Sequence, residues 1–189
     1  MSTAAHEAVY ASVAKPWLKY YDASFIGQPL PDCTTFEYLY QQNKQHLNEP
    51  ALEYFGRKIT YADLFVNIKK TAAAFRAIGL KKGDIATVVS IMTPEIIYAF
   101  YAVDLIGATL NLVICLNVPY DRCVQAAKRT HVERILVVSP ADSLSLPMAM
   151  GYKLKNPDKN HYSSNVIHWK DFIAGGQGQS TAADPVDPM

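Results

Sequence analysis

The residues of this 189-residue chain that could do chemistry are five histidines, three cysteines and a few hydroxyls and acids. His6, His46, His131, His161 and His168 form no H-x-x-x-H pair, and no C-x-x-C accompanies them, so the spacing supplies no metal ligand set. Cys33, Cys115 and Cys123 cannot all pair with one another, and they match neither a disulfide framework nor a zinc site. They read as small apolar side chains in a reducing compartment. Ser90 and Ser139 lack the G-x-S-x-G elbow that exposes a nucleophile. Asp104 is the one acid in a very apolar helical stretch and should face a polar partner or the helix rim. Thr93 stands where it would cap a helix. The same unpaired N–H groups could hold an anion, but capping is the simpler role. His131 falls at a helix end, where a cation suits the dipole, and His168 lies beside Trp169 at a strand end, where packing explains it. Gly175-Gly176-Gln177-Gly178 is glycine-rich but leads into no lysine. Neither G-x-G-x-x-G nor G-x-x-x-x-G-K-[ST] occurs anywhere. No catalytic, cofactor-binding or metal-ligating residue is therefore assigned.

Half the residues are apolar, 19% are charged and the formal net charge is +1. That balance gives no electrostatic reason to expect nucleic acid or an anionic membrane as partner. No apolar run reaches the roughly 20 residues of a membrane span, and residues 1–13 lack the pattern of a secretory signal.

The elements that must position any site read as follows. Lys15-Pro16-Trp17-Leu18-Lys19-Tyr20-Tyr21 opens the chain as an aromatic segment expected to pack on the domain. Thr35 should cap a helix carrying Phe36, Leu39 and Tyr40 on one face. Residues 51–55 and 58–61 flank Gly56-Arg57, with glycine placed for a type II′ hairpin turn. Tyr61, Leu64, Phe65, Ile68, Ala72 and Phe75 repeat at helical spacing, with Thr60 and Asp63 as a cap and Gly79 as the left-handed stop.

Residues 85–92 then form an apolar run expected to be a buried strand. Thr93-Pro94-Glu95 should start a helix over 94–106, apolar on nearly every side, with Glu95 favoured by the dipole. Residues 109–114 read as a second strand. Asn117 and Pro119 open a third helix with Tyr120, Cys123, Val124 and Ala127 on one stripe. Residues 134–138 are a third strand, and 165–169 a fourth, after a weakly patterned stretch. Strands alternating with helices predict an α/β fold: an open, doubly wound, mostly parallel sheet with an N-terminal helix and a small hairpin. Ligands of such sheets sit at the carboxyl ends of the strands, which points to residues 92–94 and 115–117.

Several segments together resemble the adenylate-forming superfamily, which includes acyl-CoA synthetases, adenylation domains and luciferases. Ile59-Thr60-Tyr61-Ala62-Asp63-Leu64 is similar to its L-T-Y-x-E-L motif, and Gly79-Leu80-Lys81-Lys82-Gly83-Asp84 to its G-[LV]-x-x-G-D segment. Pro94-Glu95 followed by Leu105-Ile106-Gly107-Ala108-Thr109-Leu110-Asn111 resembles the second core motif, and residues 15–21 the lead-in of the fatty-acid ligase branch. Many members carry a proline and a basic residue after the position of Asn111, where this chain has Leu112-Val113-Ile114-Cys115.

The resemblance implies a parent enzyme that uses ATP, Mg²⁺ and CoA to turn a carboxylic acid into acyl-AMP and then acyl-CoA, in the cytoplasm. It also implies that residues 1–172 are the N-terminal subdomain and 173–189 a linker towards the phosphate loop. On this reading the family's phosphate loop, adenine contact, ribose acid and catalytic lysine match no position here. The chain alone should be inactive, bind no cofactor tightly, associate weakly with itself and partner the remainder of the same enzyme. The competing expectation is a stand-alone, noncatalytic α/β module that binds a protein partner.

Overall fold

A computed structural model describes residues 10–29, 31–84, 86–107, 112–128, 132 and 134–182. The chain divides into two compact units, Met1–Asp32 and Cys33–Met189. In the first, helix α1 (Ala11–Ala14) and a 3₁₀ turn (Pro16–Tyr20) meet at Lys15, whose φ of 44° is left-handed. Only Leu18 in these two elements is even half-buried, so the segment has no core of its own.

The second unit opens with α2 (Thr35–Asn43). Its cap is Thr34 rather than the expected Thr35. Thr34 Oγ1 accepts from Glu37 N at 3.1 Å, and Glu37 Oε2 accepts from Thr34 N at 2.9 Å. Glu37 decides the choice, because a capping box needs the acid three residues after the cap.

Strands β1 (Pro50–Tyr54) and β2 (Arg57–Thr60) pair antiparallel, with Tyr54 opposite Arg57. The turn is therefore Phe55-Gly56, not Gly56-Arg57. Both residues have positive φ, 48° and 77°, the pattern of a type I′ turn rather than type II′. The right-handed twist of the strands favours this turn strongly enough to hold a phenylalanine in left-handed backbone, a conformation costing roughly 1–2 kcal/mol.

Helix α3 (Tyr61–Ala77) begins as the sequence predicts. Thr60 Oγ1 accepts from Asp63 N at 3.2 Å and lies 3.0 Å from Asp63 Oδ2. It ends on Gly79 at φ 87°, with Gly79 N donating to Arg76 O and Leu80 N to Phe75 O. That is the paired bonding of a Schellman stop. Leu64, Phe65, Ile68, Ala72 and Phe75 are all buried.

The main sheet contains β3 (Ala86–Val89), β4 (Leu112–Leu116), β5 (Arg134–Val138) and β6 (Val166–His168). They are parallel and lie in that order. Between them run α4 (Pro94–Leu105), α5 (Tyr120–Ala127) and α6 (Leu146–Lys155), and α7 (Trp169–Gly175) follows β6. Because strand side chains alternate, the sheet serves two cores. Leu112, Ile114, Leu136 and Val138 pack with α3, α4 and α7. Val113, Cys115, Ile135 and Val137 pack with Tyr120, Cys123 and Ala127 of α5. The doubly wound, mostly parallel α/β fold is as expected, and β5 matches its predicted span.

Other expectations change. The strand predicted over 85–92 ends at Val89, and it is not buried: Val88 and Val89 are each 44% exposed. The reason is its place in the sheet, since its outer edge pairs with no strand among the described residues. Ile85 and residues 109–111 of the predicted second strand lie outside the described residues, and the strand runs on to Leu116. The fourth strand stops at His168, and Trp169 starts a helix that the sequence reading did not anticipate. Helix α6 was also unforeseen. Pro147 sits in its first turn, where a missing N–H costs nothing, and it has no buried residue to impose a stripe. Gly176, in the segment read as a linker, is buried against α3. A Cβ there would lie 2.5 Å from Ala74 N.

Candidate functional site: the strand-end clefts

The carboxyl ends of β3 to β6 carry the loops 90–93, 117–119 and 139–145. Two hollows open among them. The first, of about 460 Å³, is polar: Asn117, Ser139, Asp142, Asp158, Tyr162 and His168 are among its walls. The second, of about 530 Å³, is mainly apolar: Tyr54, Phe55, Val89, Ile91, Leu116, Val118 and Pro140 line it. Tyr152 of α6 borders both. The turn after β4 also serves both, with Asn117 in the polar hollow and Val118 and Pro119 in the apolar one.

The polar hollow is braced by a hydrogen-bonded cluster. Asp158 Oδ2 accepts from Tyr162 OH at 2.5 Å and Oδ1 from Asn160 N at 3.1 Å, while Asn160 Nδ2 donates to Asn117 O at 2.6 Å. Burial pushes the Asp158 carboxyl up, but the bonds from Tyr162, Asn160 and Asn117 outweigh it and hold the group below its ordinary value. Burial and the Asp158 bond push the Tyr162 phenol up to about 12. This cluster ties the turn after β4 to residues 158–162.

A second polar group lies where α4 begins. Glu95 is only 1% exposed. Its Oε1 accepts from the Ser143 hydroxyl, and its buried Oε2 has no full hydrogen bond. Burial raises its pKa. Ser143, the residue's own backbone N–H and a weak contact from the Thr93 hydroxyl oppose the rise, and Asp142 adds to it. Arg57 Nη1 donates to Ser143 O at 3.0 Å, and Tyr54 OH to Pro140 O at 3.4 Å. The β1–β2 hairpin and α4 thus both hold the loop after β5. Asp142 is itself pushed up, by burial first, against the pull of Ser139 N, Lys170, Lys153 and His168.

The residues singled out in the sequence are mostly structural. Thr93 occupies the cap position of α4 but makes no side-chain cap bond. Asp104 Oδ2 accepts from Phe36 N at 2.7 Å, which supplies its polar partner. Ser90 Oγ donates to Ile91 O, and Ser139 forms a turn with Asp142 and Ala141. His46 pairs with Glu49 at 2.7 Å, His161 is exposed, and His168 stacks edge-on with Tyr162 at the polar hollow. His6 and His131 lie outside the described residues. Cys33 is exposed, whereas Cys115 and Cys123 are buried together. The Glu95–Ser143 contact and the Asp158–Tyr162 cluster were missed. Each joins loops far apart in sequence, and the only signal was an acid at the head of a very apolar helix.

The apolar hollow does not fit the phosphates of a nucleoside triphosphate. The loops after β3 and β4 contain no glycine that would bring backbone N–H groups against phosphates, and no lysine or arginine lines the apolar hollow, whereas Lys153 and Lys170 line the polar one. Among the described residues no group of three acids, histidines or cysteines converges on one point. The apolar hollow offers shape and an apolar wall, and the polar hollow offers carboxylates and lysines.

The parallel sheet, the antiparallel hairpin and the strand-end clefts define the N-terminal-domain fold of adenylate-forming ligases. An anthranilate–CoA ligase solved with anthranoyl-AMP superposes with a TM-score of 0.59 over 83% of this chain and 30% of its own, at 12% identity. Coronafacic acid ligase from Pectobacterium brasiliense does so at 0.58 over 75% and 29%, at 18% identity. The chain belongs to the family described as AMP-binding enzyme, whose profile matches residues 39–181. A long-chain-fatty-acid–CoA ligase of Bacillus subtilis is 25% identical over 78% of this chain and 30% of its own length. A 4-coumarate–CoA ligase of Humulus lupulus is 33% identical over 48% and 17%. The chain thus spans about a third or less of these relatives. The two motifs nearest the family pattern are structural in this chain: one caps α3, and the other turns the backbone from α3 towards β3 through Gly79 and Gly83, both at positive φ.

Proposed function

We propose that this chain is the N-terminal scaffold of an ATP-dependent acid–CoA ligase. In the whole enzyme a carboxylate attacks the α-phosphorus of ATP, giving acyl-AMP and pyrophosphate, and the CoA thiol then displaces AMP. The remainder of that enzyme supplies the groups that bind ATP, Mg²⁺, CoA and the acid. This chain contributes the sheet, the apolar hollow and the braced loops around it, and has no ligase activity alone. A fatty-acid-type carboxylate is the proposed substrate class, supported by the name of the Bacillus subtilis relative, and the cytoplasm is the proposed location. No helix among the described residues is long and apolar enough to cross a membrane.

The observation that carries this reading is the open edge of β3. Strands of all-parallel sheets are normally covered on both faces, yet Val88 and Val89 are exposed, and Ile91 and Met92 beside them are 59% and 72% exposed. The surface fits continuation into the rest of a larger domain.

Two measurements test it. Sequencing the transcript beyond codon 189 should reveal an open frame leading into a Ser/Thr/Gly-rich loop ending in lysine. An immediate stop would instead favour the self-contained module. Purified chain, free of any full-length ligase, should form no acyl-AMP from ATP and a panel of carboxylates, while the full-length product should. Acyl-AMP made by the chain alone would overturn the scaffold reading.

A further inference from the structure

Arg76 stands in the last turn of α3 and reaches the final described residues of the chain. Its Nη1 donates to Ser180 O at 2.7 Å, and its Nη2 donates to Ala182 O at 2.6 Å. The planar guanidinium fork suits two acceptors that lie close together. Alternate carbonyls of an extended strand are roughly 6.6 Å apart, too far for one fork. Ser180 removes that mismatch. Its Oγ accepts from Ala182 N at 3.2 Å, a local turn that draws the two carbonyls together.

The same segment is anchored upstream on the neighbouring residues of α3. Phe172 of α7 is buried and packs on Phe75 with ring centroids 4.9 Å apart. Gly176 is buried against the backbone of Ala74. Three successive residues of α3 therefore hold the chain at 172, at 176 and at 180 and 182.

We propose that Arg76 is a positioning residue of the ligase, and that residues 173–182 are a strap whose exit from α3 it fixes. The proposal rests on the ligase reading. In that reading the loop that holds the phosphates of ATP follows this segment, so a slack strap would misplace the loop. The loop is needed while the carboxylate attacks the α-phosphorus and pyrophosphate leaves. It is not needed when the CoA thiol displaces AMP from acyl-AMP already formed. Arg76 thus acts on the first half-reaction and not on the second. A misplacement of about 1 Å far from the chemistry can cost as much as 100-fold.

The test uses the full-length enzyme as wild type, Arg76→Lys and Arg76→Ala. Pyrophosphate release from ATP and acid reads the first half-reaction, and thioester formation from supplied acyl-AMP reads the second. Arg76→Ala should lower kcat/KM for ATP by about tenfold or more and change the second step by less than about twofold. Arg76→Lys keeps the charge but loses the fork, and should fall between the two. On this chain, hydrogen exchange of the amides of residues 177–182 should speed up in Arg76→Ala. A full-length wild type that forms no acyl-AMP would overturn the ligase reading, and the positioning role with it. With an active wild type, three results would overturn the positioning role alone: an unaltered first step in Arg76→Ala, an equal fall in both steps, or unchanged exchange at 177–182.

Discussion

Asp104 Oδ2 accepts a hydrogen bond from Phe36 N at 2.7 Å across 68 residues of sequence. Phe36 is the second residue of α2, so the carboxylate of α4 satisfies one of the N–H groups that the helix start leaves open. It also places negative charge at the positive end of the helix. Asp104→Ala removes both, and the Phe36 N–H is left part-buried and unpaired. The expected loss is about 1.5–3 kcal/mol of unfolding free energy. Asp104→Asn keeps an acceptor and should lose less. Urea titration of the three proteins checks the order, and an alanine variant as stable as the parent would show that the contact contributes nothing.

Glu95 predicts a pH dependence of defined sign. Its folded-state pKa lies above the ordinary value of 4.5 because burial disfavours the carboxylate. Below 4.5 the group is protonated whether folded or unfolded, and the native contacts carry no charge penalty. As pH rises through the raised pKa, the unfolded chain has already released the proton while the folded one resists, so stability falls. Asp142, also raised by burial, acts in the same sense. Denaturation midpoints should therefore decline from the acid carboxylate range towards neutrality. Glu95→Gln should flatten that decline without abolishing it, since Asp142 remains. A variant with an unchanged slope would remove Glu95 from the account.

What the sequence disclosed, and what it hid, follows from the range of the interactions. Helix α3 and strand β5 were legible because their signals are local: a cap at Thr60, a stop at Gly79 and an unbroken apolar run over 135–138. Helix α6 buries nothing, so no periodicity could mark it. Glu95 was read only as a favourable charge at a helix start. Its burial depends on Ser143, 48 residues away, and no local pattern carries that contact. The two cysteines looked like separate fillers because their contact exists only once α5 folds back onto β4. The exposed edge of β3 was hidden for the same reason. An apolar run specifies a strand but not whether a neighbour covers it.

Gly151 in α6 and Gly176 after α7 should respond to alanine in opposite ways. Gly176 has ordinary right-handed backbone, so a methyl group there is not excluded by φ and ψ. It would lie 2.5 Å from Ala74 N and 2.7 Å from Ala74 Cα, main-chain atoms in the last turn of α3 that cannot swing aside. Gly176→Ala should cost about 1–3 kcal/mol. Gly151 is inside α6, and a Cβ there meets nothing within 4 Å. Gly151→Ala should stabilise by about 0.5–1 kcal/mol. Thermal unfolding of both distinguishes a packed Gly176 from one in a free linker, where alanine would be tolerated.

The uncovered strand also sets how the chain behaves in solution. An unpaired edge presents open N–H and C=O groups, and apolar side chains beside it favour pairing with another chain. Val88, Val89, Ile91 and Met92 supply such a surface. The isolated chain should therefore associate as concentration rises. Val88→Lys places a charge that must be desolvated on pairing and removes the gain from burying a valine, about 1.5–3 kcal/mol. That corresponds to at least about tenfold weaker association. Light scattering over a concentration series measures the effect. The lysine should leave the fold intact, because the position is already half open to water, and circular dichroism verifies that. A parent chain that stays monomeric at high concentration would show that the edge is protected by its own twist and loops. Equal association of both proteins would place the contact on a different face.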